Sequence, residues 1–156
     1  DSWKLYSYPT EKFSVKFPSD PKITERTENM SKGPLLIKIT EASVSGNGEV
    51  IKYNVEYIDL PDELFKPTDT KETREAKSAM FYGIMLGLTY GDNATVTPSG
   101  GGGQRASYVI KIPGKKLFKG NIIAVNDKVY SYGAECEKCT TIPNINEYLA
   151  SFSLIK

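Results

Sequence analysis

Apolar and polar residues alternate with a period of two along most of this chain, and a helical period replaces that alternation over only one long stretch. Phe13, Val15 and Phe17 are separated by Ser14 and Lys16, the pattern of a strand buried on one side. Successive side chains of a strand point to opposite faces, so a chain written this way must assemble a sheet and cover it. The same row recurs at Leu35, Ile37 and Ile39, at Ile51, Tyr53, Val55 and Tyr57, and at Ala106, Tyr108, Ile110 and Ile112. Residues 22–28 alternate weakly and are polar enough for an edge strand. Residues 121–125 are apolar on both parities, which suits a central strand. Gly46-Asn47-Gly48 predicts a reversal joining 35–43 to 50–58, and Asn126-Asp127 predicts a two-residue hairpin turn into 128–134. The glycine-rich segment 99–103 reads as a bend.

The helical stretch spans 69–88. Asp69 followed by Glu72 has the spacing of a capping box. Ala76, Ala79, Met80, Gly83, Ile84 and Gly87 share one helix face, the face predicted to pack on the sheet. Gly83 and Gly87 each cost about 1 kcal/mol in a helix interior, which predicts close backbone approach to another element. Gly91 supplies the stop. Residues 60–66 read as a loop with one helical turn, and 144–150 as a short helix leading into Ser151-Phe152-Ser153-Leu154. The order of elements lacks βαβ alternation. The expected fold is α+β, one domain over 1–156: a central antiparallel sheet of five to seven strands, with the long helix and the C-terminal helix on its faces as an α/β/α sandwich.

Twenty Lys plus Arg stand against nineteen Asp plus Glu, so no global field draws in nucleic acid, and none is expected as a partner. The longest apolar stretch, 80–88, is under half the roughly 20 residues that a transmembrane helix needs. Asp at position 1 leads to the expectation of a removed signal peptide or lipid anchor, or of a domain cut from a longer chain. Asn29-Met30-Ser31 and Asn93-Ala94-Thr95 match the glycosylation pattern, which matters for a eukaryotic source. The chain has no histidine. That removes the commonest general base, the imidazole-dependent triads and the His-containing zinc sites.

Cys136-Glu137-Lys138-Cys139 reads first as a local disulfide or idle thiols after the last long strand. A redox pair and a metal site completed by Glu135 or Glu137 are the alternatives. The run 100–103 lacks the Lys-Ser or Lys-Thr of a phosphate loop and reads as a hairpin loop. Lys111, Lys115, Lys116 and Lys119 gather around Pro113-Gly114, either to shield a sheet edge or to dock an acidic partner. Tyr53, Tyr57 and Tyr108 lie on the apolar parity of their strands, and Tyr130 and Tyr132 share a face with Ala134, so these tyrosines belong to the core rather than to a stacking site. Asp92, Glu135 and Glu137 read as solvated charge before acid–base groups. No cofactor is expected.

Four segments carry a family resemblance: Glu11-Lys12-Phe13-Ser14-Val15-Lys16-Phe17-Pro18, Ser107-Tyr108-Val109-Ile110, Asn126-Asp127-Lys128-Val129-Tyr130 and Ser151-Phe152-Ser153-Leu154. Together they resemble the PsbP family of photosystem extrinsic proteins and its bacterial relatives, which share a fold with the nuclear-import factor Mog. The resemblance implies an α/β/α sandwich and a non-enzymatic role in larger assemblies, often after export. Any His-mediated metal site of the plant proteins cannot carry over, and a photosynthetic role does not follow. The leading expectation is a non-catalytic, extracytoplasmic accessory domain acting on an unknown protein partner. A carrier holding an apolar ligand between the sheet and the helix around Met80, Ile84 and Met85 is one alternative, and a redox protein using Cys136 and Cys139 is another.

Overall fold

The computed structural model describes residues 3–30, 33–46, 48–99 and 103–156. In chain order the elements are β1 (Lys4–Tyr8), β2 (Phe13–Phe17), β3 (Lys22–Met30), β4 (Gly33–Gly46), β5 (Glu49–Asp59), α1 (Lys71–Tyr90), β6 (Ala94–Ser99), β7 (Arg105–Ile112), β8 (Lys116–Val125), β9 (Lys128–Glu137), α2 (Ile145–Ser151) and β10 (Ser153–Leu154). A seven-stranded sheet runs β3-β4-β5-β9-β8-β7-β6, and β1-β2-β10 form a smaller three-stranded one. Every pairing is antiparallel. The expected α+β class and antiparallel sheet are therefore present.

Alternate residues of the large sheet feed two cores. On one face Leu35, Ile37, Ile58, Ile110, Ile122 and Val129 pack with Ala79, Tyr82 and Leu86 of α1. On the other, Tyr53, Val55, Ile123, Tyr130, Tyr132 and Ala134 pack against Phe13, Val15 and Phe17 of β2 and Tyr148 of α2. The second covering layer is thus mixed, a short helix beside the small sheet, where the sequence reading expected a helix alone. Each fully buried large apolar side chain contributes on the order of 1.5–3 kcal/mol.

Turn chemistry fixes the register. Val125 pairs with Lys128, and Asn126 takes φ 58°, so Asn126-Asp127 is the expected two-residue turn. Gly46 pairs with Glu49, as the expected reversal requires, while Asn47 lies outside the described residues. Ser31 of the first glycosylation triplet and positions 100–102 of the glycine run also lie outside them. Gly120 and Gly133 stand opposite each other beneath the Tyr108 ring. A Cβ on Gly133 would lie 2.8 Å from the Gly120 Cα and 2.7 Å from the Tyr108 hydroxyl oxygen, so a side chain is excluded there.

Two details of α1 differ from expectation. Thr70, not Asp69, is the N-cap, accepting from the Thr73 backbone N–H at 3.1 Å. Asp69 instead accepts from the Lys66 N–H at 2.9 Å and from Lys77 Nζ at 2.6 Å, and the Lys77 hydrogen bond holds its carboxyl below the usual carboxylate range. The buried face is Glu75, Ser78, Ala79, Tyr82 and Leu86, about one residue, or roughly 100°, around from the expected stripe. The cause is polar. Glu75 accepts from the Asn126 N–H at 3.0 Å, Ser78 donates to the Asn126 carbonyl at 2.9 Å, and Arg74 donates to the Asn126 side chain at 2.6 Å. Docking on the β8–β9 turn therefore sets the rotation of the helix and turns Met80 and Ile84 outward. Nor does close approach retain the glycines: a Cβ on Gly83 would make ordinary 3.5 Å contact with Val96, and Gly87 faces open space.

Candidate functional site

Cys136 lies inside β9, which extends three residues beyond the strand end read from sequence; Cys139 follows in the turn. Their sulfurs are at disulfide-bonding distance, with Cα atoms 5.6 Å apart. The turn is pinned where Lys138, at φ 61°, donates its N–H to the Lys115 carbonyl at 2.8 Å. Neither Glu135 nor Glu137 joins the sulfurs. Glu135 projects to the α1 face and pairs with Lys116 at 3.2 Å, Glu137 has the same parity, and the carboxylate near the sulfurs is that of Glu49. Asp92 sits in a short turn after α1, exposed.

The four lysines do not form one patch. Lys111 stands opposite Leu117, and Lys119 opposite Val109, which puts both on the α2 face. Lys116 lies on the α1 face with Glu135, and Lys115 is in the turn. The β7–β8 hairpin is interior to the sheet, so shielding an edge is not its task. The edges are β3, lined with charge, and β6, which carries Pro98.

Between the C-terminal half of α1 and the sheet lies a polar cleft of about 220 Å³, bordered by Arg26, Glu28, Glu56, Tyr82 and Tyr90. A deeper recess of about 140 Å³ reaches Glu41, Tyr108 and Glu135. Tyr82 donates to Glu56 at 2.7 Å, and Arg26 lies 3.8 Å from the same carboxylate. Burial pushes the Glu41 carboxyl up, only partly opposed by Lys52, with the charges of Glu135 and Glu56 adding to the rise. The hydroxyls of Tyr82 and Tyr108 are pushed up by burial as well. Glu56 and Glu135 are each engaged by a partner, so this cleft is an ion-pair network laid into the helix–sheet interface.

The other side of α1 is different in kind. Met80, Ile84 and Leu88, one stripe at i, i+4 and i+8, are 61%, 54% and 80% exposed. Beside them runs a groove of about 480 Å³. Met80 and Ile84 form one wall and Val96 and Pro98 of edge strand β6 the other, over a floor of the small residues Ala76, Ala79, Gly83 and Ala106. Gly103 closes one end against Ala76, where a Cβ would stand 3.3 Å from the alanine methyl. A broader hollow of about 840 Å³ near α2 mixes Trp3, Lys16, Asn144 and Glu147 without a convergent set.

No family model and no curated protein matches this chain. Among the described residues no helix is long and apolar enough to cross a membrane. The groove is half legible in the sequence: periodicity assigns its helix wall to the core, and its strand wall, β6, has only the β-branched signal of Thr95, Val96 and Thr97 to mark it. β1 and β10, like β6, go unassigned in the sequence reading. Tyr6 and Tyr8 alternate as a strand should, whereas two-residue β10 pairs only through tertiary contact with Ser14 and Phe13.

Proposed function

We propose that this chain is a non-catalytic binding domain whose α1–β6 groove receives an amphipathic helix of a partner protein. The observation that carries the reading is the outward stripe of Met80, Ile84 and Leu88 beside a groove floored by small residues. Aligned large apolar side chains next to a concave apolar surface mark interaction sites, whereas scattered ones do not. A helix suits the groove better than an added strand. Pro98 deprives the β6 edge of an N–H, which disfavours main-chain pairing, while a helix engages a groove through side chains at i, i+3, i+4 and i+7.

An accessory role outside the cytoplasm, as the PsbP-like resemblance implies, belongs to the same proposal. A cysteine pair at disulfide distance is compatible with an oxidising compartment. The carrier alternative has less support, because the space between α1 and the sheet is the cleft bordered by Arg26, Glu28 and Glu56, which is polar, and the space beside Met80 and Ile84 opens to solvent.

The test places a photo-activated cross-linker at Ile84 and, as a control, at Ile23 on the far edge strand, which is similarly exposed at 54%. In extract of the cells that make the protein, the Ile84 probe is expected to give a discrete heterologous adduct and the Ile23 probe none. Equal yields from both positions, no adduct, or an adduct only with a second copy of this chain would reject the reading.

A further inference from the structure

The sheet register brings a carboxylate to the cysteine pair that the local sequence does not supply. Ile51 stands opposite Cys136, so Glu49, two residues earlier in β5, has the same parity and lies one step beyond Cys136 along the ladder. The Lys138 turn brings Cys139 back to that spot. The Glu49 carboxylate and the two sulfurs all lie within 4.8 Å of one another, with Cys136 buried and Glu49 and Cys139 half-buried. Donor atoms around one tetrahedral zinc ion, at about 2.0–2.3 Å from it, are roughly 3–4 Å apart. Small side-chain rotations bring this trio to that spacing once the sulfurs are no longer bonded.

We infer that Cys136, Cys139 and Glu49 form a redox-gated site for a thiophilic divalent cation such as Zn²⁺. Two sulfur donors select soft or borderline ions over magnesium or calcium. Two residues between the cysteines give the spacing of half a structural zinc site, and three protein donors leave the fourth position of a tetrahedral ion to water or an outside ligand. Gating follows from the chemistry. In the disulfide neither sulfur can act as a thiolate ligand. A small dithiol reductant delivers two electrons and two protons, the S–S bond breaks to two thiols, and the reductant becomes its own disulfide. Each thiol then releases its proton to water as its sulfur binds the ion. Thiolates and carboxylate together bring a charge of about −3 against +2, and Lys115 and Lys138, joined through their backbones at this turn, supply cationic residues beside it.

The experiment compares the full chain as its disulfide with the chain reduced by dithiothreitol and desalted without oxygen. Each is titrated with Co²⁺ as a spectroscopic probe and then challenged with Zn²⁺. The reduced chain is expected to bind one Co²⁺ with thiolate-to-metal charge-transfer absorption that Zn²⁺ abolishes, and the disulfide form to show none. Cys139→Ser should lose that absorption. Glu49→Gln, a nearly isosteric change at a half-buried position, should keep both titratable thiols and its circular dichroism while binding at least about tenfold more weakly. Zn²⁺ should also raise the melting temperature of the reduced chain and not of the oxidised one. Absence of charge-transfer absorption in the reduced chain, or equal affinity for Glu49→Gln and the native chain, would overturn the inference.

Discussion

The two faces of the seven-stranded sheet are made from alternate residues of the same strands, yet they are built on different principles. The α2 face is rich in aromatic rings set among smaller apolar residues such as Val15, Val55 and Ile123. Tyr132 and Phe152 stack at 3.9 Å, Phe13 and Phe152 at 5.7 Å, and Tyr53 meets Tyr148 at 5.1 Å. Tyrosine hydroxyls tie the two layers together: Tyr130 and Tyr53 of the sheet donate to the Glu11 and Pro143 carbonyls of the covering segments, and Tyr148 of α2 donates back to the Asn54 carbonyl of β5. The α1 face mixes apolar packing with buried polar groups, and under the N-terminal half Glu75 and Ser78 hydrogen-bond the Asn126 turn. Under the other half lie Glu41, Glu56, Glu135 and the tyrosines of the cleft. Beside the helix, on its outer side, apolar residues are left to solvent. A face held by interlocking rings has little freedom to adapt, whereas one helix seated through a polar turn can present a second surface.

The largest expected effect lies on the aromatic face. Tyr148→Ala removes a wholly buried ring that contacts Trp3, Phe17 and Tyr53 and should cost about 3–5 kcal/mol in denaturant unfolding. A loss below 1 kcal/mol would erase the contrast between the faces.

Alkaline titration comes next. Burial raises the hydroxyls of Tyr148, Tyr82 and Tyr130, the last to about 12 from an ordinary 10.0. The folded chain therefore holds protons that the unfolded chain has released. Stability from these groups is full below pH 10 and falls as pH rises through the folded values. Tyrosinate absorbance should rise together with loss of the circular dichroism signal above about pH 10. A rise near pH 10 from all the tyrosines with the fold intact would contradict their burial.

Glu41→Gln should have the smallest effect, and in the stabilising direction. Its carboxyl is raised above 4.5 by burial, so its contribution is full below that pH and is lost as pH rises through the folded value. The variant should lack that loss and melt slightly higher at neutral pH; a lower melting temperature there would mean that the Glu41 charge is productively paired.

Most of the large sheet could be read in the sequence because alternation is local physics: Leu35, Ile37, Tyr53, Val55 and Ile110 announce their own burial. The rotation of α1 could not. Glu75 and Ser78 look like surface residues until the Asn126 turn arrives to hydrogen-bond them, and with them inward, Met80 and Ile84 must face out. The Glu49–cysteine trio was hidden for the same reason, since Glu49 and Cys136 meet only across the β5–β9 ladder. The lysines near Pro113-Gly114 looked like a cluster in one dimension, and strand parity divided them between two faces.

On the proposed reading, the outer stripe of α1 is kept apolar for a partner and not for the fold. The direct measurement is a Met80→Lys/Leu88→Lys variant carrying the cross-linker at Ile84, read for both melting temperature and adduct yield. Lysine is a good helix former and favourable near a helix C-terminus, so stability should stay within about 0.5 kcal/mol of the native chain while the adduct disappears. A fall in stability of several kcal/mol, or an undiminished adduct, would contradict the account.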